Sequence, residues 1–119
     1  MADEITVVTG LAVSNGGREA EMPVNRATYD QTGTDFVCKT QSIGITEEAI
    51  TKGDIGADNG GLMYVKNLDD TNFVTIHATG ETGGVKLLAG DHQVFRLNST
   101  PYATADTAAV EIEYLLLEA

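Results

Sequence analysis

At 119 residues the chain has the length of one domain, and eighteen Asp and Glu against seven Lys and Arg give a formal charge of −11. That balance excludes the positive footprint a nucleic-acid backbone requires, and a single cysteine, Cys38, excludes an intrachain disulfide or a thiolate metal cluster. No apolar run approaches the ~18 residues of a helical membrane span, and the acidic start MADEITVVTG does not read as a signal peptide, so no membrane partner is expected.

The first element is ITVVTGLAV, residues 5–13, where Ile5, Val7, Leu11 and Val13 share one face and Thr9-Gly10 marks an irregularity. SNGGR follows, and Asn15-Gly16 or Gly16-Gly17 supplies the positive φ of a two-residue hairpin turn. The chain returns through Ala20, Met22 and Val24, with Pro23 marking an edge or a bulge because proline has no N–H for the ladder. The first strand carries no charge after Glu4, and its second face is Thr6, Val8, Gly10 and Ala12. Left exposed, such a strand is a pairing liability. Ile5, Val7, Val8, Leu11 and Val13 are therefore the candidate interface residues, on a strand or arm spanning 1–13, with ordinary core packing of the same strand as the equal alternative.

DFVCKTQSIGI (35–45) predicts a third strand, with Cys38 as a small strand residue and not a nucleophile. TEEAITKGDIGADNGG (46–61) reads as a loop with at most one helical turn, capped by Thr46, favoured by Glu47 and Glu48 at its start and ended by Gly53, and with room for a short strand. LMYVKNL (62–68) is apolar on both faces and predicts a central strand; NFVTIHA (72–78) predicts the next. TGETGG (79–84) is a loop, VKLLAGDH a short strand and turn, and QVFRLN a strand with Phe95 and Leu97 inward, Val94 and Arg96 outward. STPYATADTA reads as a loop anchored by Pro101-Tyr102. In the closing AVEIEYLLLEA, Val110, Ile112, Tyr114 and Leu116 face in and Glu111 and Glu113 face out; strict alternation favours a strand although Leu and Glu also suit a helix. Roughly seven to nine short strands predict an all-β sandwich of jelly-roll type in one domain, 1–119.

Motifs for chemistry are sparse. The polar knot Asn67-Leu68-Asp69-Asp70-Thr71-Asn72 fits a turn and lacks the spacing of a calcium loop; Asp54, Asp58 and Asn59 lack it too. His77 and His92 read as surface histidines, without the further ligands zinc requires. Glu111 and Glu113 lie two residues apart on a solvated strand face, and the absence of Trp argues against sugar platforms beside a carboxylate pair. No Gly-Lys-Ser/Thr loop and no nucleophile elbow occur. These residues predict no enzyme, no metal site and no cofactor.

GGLMYVKNLDDTNFVTI, VKLLAGDHQVFRLN and PYATADTAAVEIEYLLLEA together resemble a loosely defined group of small virion proteins of tailed bacteriophages. The positions that carry the resemblance are Gly61, Asn67 to Asp69, Asn72-Phe73, Leu87 to Asp91, Phe95 to Leu97, Tyr102-Ala103 and Glu113 to Leu116, with YDQTG and QSIGITEEAI upstream; it covers about residues 29–118. It implies a non-enzymatic structural protein of the virion, made in the host bacterial cytoplasm. The first reading is a capsid decoration protein bound to the major capsid protein or another virion protein, as a homo-oligomer and first of all a trimer. A neck, tail-tube or fibre-attachment subunit is the alternative, and a carbohydrate-binding sandwich a second one. The resemblance also implies that the knot is a hairpin turn whose backbone Asn67 and Asp69 fix. Residues 1–28 lie outside it and, with the loops at 46–61 and 79–84, are the expected partner-facing segments.

Overall fold

The computed structural model describes residues 4–31, 35–53, 55, 61–81, 83–96 and 99–118. The described residues are all-β: β1 (Ile5–Asn15), β2 (Arg18–Tyr29), β3 (Phe36–Ile43), β4 (Glu48–Ala49), β5 (Leu62–Asn67), β6 (Val74–His77), β7 (Val85–Leu87), β8 (His92–Arg96), β9 (Tyr102–Ala105) and β10 (Val110–Leu117). They form two compact units, one up to residue 32 and the other from residue 33 onward.

The first unit is the β1–β2 hairpin, a two-stranded antiparallel sheet of its own. Its turn is Gly16-Gly17, with φ of 59° and 82°. Two consecutive positive values are what a type I′ turn demands, and they match the right-handed twist of the strands it joins. The register runs Thr9 opposite Asn25 and then Leu11 opposite Met22, so Pro23 and Val24 together oppose Gly10. The extra residue therefore sits on β2 at Pro23, as the missing N–H suggested, and β1 runs unbroken. β2 extends to Tyr29, beyond the expected Val24.

The second unit is a sandwich of two four-stranded antiparallel sheets, ordered β3-β10-β5-β8 and β4-β9-β6-β7. Its pairs nest: β3 with β10, β4 with β9, β5 with β8 and β6 with β7. The order is that of one long hairpin rolled so that successive rungs fall alternately on the two sheets. One core lies between them. Ile43, Met63, Val65, Val110, Ile112, Tyr114 and Leu116 come from one sheet; Val74, Ile76, Leu87, Ala103 and Ala105 come from the other. β10 shows the alternation plainly, with Val110, Ile112, Tyr114 and Leu116 buried and Glu111 and Glu113 exposed. Each such aliphatic side chain contributes roughly 1.5–3 kcal/mol by leaving water. β5, apolar on both faces, lies inside its sheet between β10 and β8.

One open reading resolves and two expectations change. Of the helical turn or short strand that 46–61 left open, the described residues form the strand, β4; the Glu48 carboxylate accepts from the Gly44 N–H before it and Glu47 from the Gly80 N–H across the fold. STPYATADTA is not all loop: Tyr102–Ala105 is strand β9, and Ala103 and Ala105 fill the core between the sheets. The knot at 67–72 is not a hairpin turn, since β5 and β6 lie in different sheets, and it carries the chain across the sandwich. Leu97, Asp54, Asp58 and Asn59 lie outside the described residues, while Phe95 packs on the core as expected.

Candidate interaction surfaces

The hairpin carries the predicted interface residues. Ile5 is buried and Val7 half-buried, whereas Val8, Leu11 and Val13 are exposed, Leu11 at 75 %. Pairing sets Leu11 beside Met22 and Val13 beside Ala20, so Met22, 66 % exposed, extends the same apolar face. Val24, 72 % exposed, stands over Gly10 on the opposite face, where a Cβ on that glycine would lie 3.1 Å from its Cγ2. Met22 and Val24 were not among the expected interface residues; their part in the surface follows only from the cross-strand register. Five large apolar side chains exposed on one small sheet are more than the scattered singles of an ordinary surface. The concavity of about 500 Å³ near the turn is lined by Ala12, Val13, Ser14, Glu19, Ala20 and Glu21.

In the sandwich, the two loops expected to face partners meet. The Glu47 carboxylate accepts from the Thr79 hydroxyl (3.0 Å) and the Gly80 N–H (2.9 Å). Glu48 accepts from the Gly44 N–H at 2.9 Å, and Gln41 clasps the same region through the Thr51 N–H at 3.0 Å and the Ala49 carbonyl at 3.1 Å. The Tyr114 hydroxyl donates to the Thr51 carbonyl at 2.6 Å. Burial pushes its titration above the ordinary phenol value, and a side-chain hydrogen bond with Thr51 opposes the shift.

His77, expected on the surface, is buried at 4 % exposure. Its Nδ1 lies 2.7 Å from the Ala78 carbonyl oxygen, which can only accept, so Nδ1 carries the proton. Nε2 then accepts from the Thr104 hydroxyl at 2.8 Å. Glu47 stands 3.7 Å from Nδ1. These groups border an open concavity of about 470 Å³, lined also by Phe73, Glu81 and Asp106. A hydroxyl, an imidazole and a carboxylate in sequence have the order of a nucleophilic triad. Here, however, Nδ1 bonds the Ala78 carbonyl at 2.7 Å with the Glu47 carboxylate 3.7 Å away, and the Gly80 N–H beside them is spent on Glu47. The arrangement satisfies a buried polar side chain and ties β6, β9 and the two loops together.

The knot binds its own backbone. Asn67, fully buried, donates from Nδ2 to the Asn72 carbonyl (2.9 Å) and the Leu87 carbonyl (3.1 Å), and its Oδ1 accepts from the Asp69 N–H (2.8 Å). Asp69 accepts from the Asn72 N–H at 2.6 Å and the Thr71 N–H at 3.0 Å, and these bonds hold its carboxyl below the ordinary value, the Asn72 bond most. The backbone-fixing role expected for Asn67 and Asp69 is what the geometry shows. His92 is exposed and stacks on Tyr64 with ring centroids 6.1 Å apart; Cys38 is exposed on β3. Among the described residues, no group of three or more His, Cys, Asp or Glu side chains is placed to hold a metal ion. Comparison with known protein families, curated proteins and solved structures returns no match for this chain.

Proposed function

We propose that the chain is a non-enzymatic structural protein of a tailed-bacteriophage virion. Its role there is that of a capsid decoration protein, binding across capsid subunits and adding buried contact area to the shell. The observation that carries an assembly role is the hairpin: a unit of its own whose exposed face offers Leu11, Val13 and Met22, while the other unit, the sandwich, has its own core. The phage setting rests on the resemblance over residues 29–118, and the nested strand order agrees with the jelly-roll reading. On this reading the shell supplies the apolar and basic surface that an acidic, apolar-tipped protein complements.

Co-sedimentation with empty capsid shells tests it. Saturable binding is expected, with Leu11→Glu plus Val13→Glu weakening it at least about tenfold while the chain's circular dichroism stays unchanged. Absence of binding to shells overturns the decoration role and moves the protein to the neck or tail. Binding that ignores the double substitution discards the hairpin as the contact.

A further inference from the structure

The two edges of the hairpin are unlike. β2 carries three devices against edge pairing: Pro23 without an N–H, the bulge at Pro23-Val24, and the charges of Arg18, Glu19, Glu21 and Arg26. β1 has none of them. Its eleven residues, ITVVTGLAVSN, contain no charge and no proline, and the register irregularity leaves β1 itself unbroken. Its ladder runs to β2 on one side alone. An unguarded edge beside a guarded one in the same hairpin marks β1 as the edge that another strand joins.

We infer that this strand is β1 of a second copy of the chain, paired antiparallel about a two-fold axis to give a four-stranded sheet ordered β2-β1-β1-β2. Charge supports a second copy. Residues 5–29 hold two Arg and two Glu, a net charge of zero in a chain of −11, so the hairpin is where two such acidic molecules approach without repulsion. Register supports it as well. Full overlap of residues 5–15 with their copy centres the axis on Gly10, the residue without a side chain. It sets Val7 against Val13, Thr9 against Leu11 and Val8 against Ala12, aliphatic or uncharged pairs throughout, with no like charges opposed. Two strands of this length span roughly 37 Å and exchange about ten hydrogen bonds, the number a stable protein–protein interface carries. The guarded β2 edges then face outward on both sides, so the pairing closes at two and does not propagate. Nothing in this depends on the virion: it concerns the purified chain alone, and it can fail or hold whatever the shells do.

Sedimentation equilibrium of the full chain at tens of micromolar should give twice its 12.6 kDa mass. Val8→Lys together with Ala12→Lys sets ammonium groups opposite one another across the axis and should raise the dimer dissociation constant roughly tenfold or more. Glu21→Lys, on the guarded strand, should leave the mass unchanged. In the unsubstituted chain, the β1 amides not bonded to β2 should exchange hydrogen as slowly as those that are. A monomer or a trimer overturns the inference, as does a dimer whose outward β1 amides exchange freely. Should the double substitution prevent folding, the mass and exchange of the unsubstituted chain decide alone.

Discussion

Asn67 shows how one residue holds two sheets in place. Its amide spans the end of β5, the knot and the end of β7, satisfying two carbonyls and one N–H where water is excluded. Asn67→Leu keeps the branched shape, in a somewhat larger side chain, and strands all three groups. Urea unfolding should show a loss of about 2–5 kcal/mol, because unsatisfied buried groups cost about 1–3 kcal/mol each and some regain water. Tyr114 works differently. Its ring fills the core and its hydroxyl reaches the Thr51 carbonyl. Tyr114→Phe should cost about 1 kcal/mol at neutral pH. The sign of its pH dependence follows from the raised phenol: the unfolded chain ionises first, near 10.0, while the folded chain stays neutral, so stability is complete below that pH and falls as pH rises through the folded value. Unfolding midpoints measured from pH 9 upward should therefore fall less steeply in the Phe variant. His77 lies at the same scale. The pattern NFVTIHA places it on a strand, but its burial depends on Thr104, twenty-seven residues away, and nothing local announces that partner.

At the scale of elements, alternation with period two was enough to find most strands, because side chains leave a strand on alternate faces whatever the partner. β1, β3, β5, β6, β8 and β10 were legible in this way, as was the bulge that Pro23 forces. β9 was not. Alanine and threonine show little contrast in hydrophobicity, so the burial of Ala103 and Ala105 in the core leaves no strong alternating signal. The approach of the 79–84 loop to β6 is equally close. A Cβ on Gly84 would run into the Ile76 carbonyl oxygen and lie 3.0 Å from the His77 Cβ, whereas Gly83 has open space around it. Gly84→Ala should destabilise the sandwich by roughly 1–3 kcal/mol, since backbone has to move. Gly83→Ala should stay within about 0.5 kcal/mol. Thermal melts of the two variants side by side check this, and equal effects would mean that loop entropy, not the contact, governs the site.

At the scale of the whole chain, β3 pairs with β10 across most of the sequence, so the first and last strands of the sandwich lie side by side. The sequence by itself determined the class: too few long apolar runs for a helical membrane span, too acidic for nucleic acid, alternating nearly throughout, with a turn at Gly16-Gly17 and an uncharged first strand. These are local or summed properties, carried by each residue wherever the chain goes. Tertiary structure alone decided which strands share a sheet, that the knot crosses between sheets, that His77 is buried and that the hairpin forms its own unit with Met22 and Val24 exposed. Those properties depend on pairs of residues distant in sequence, and the free energy that selects one pairing over another comes from burying both partners at once, which no single stretch of sequence encodes.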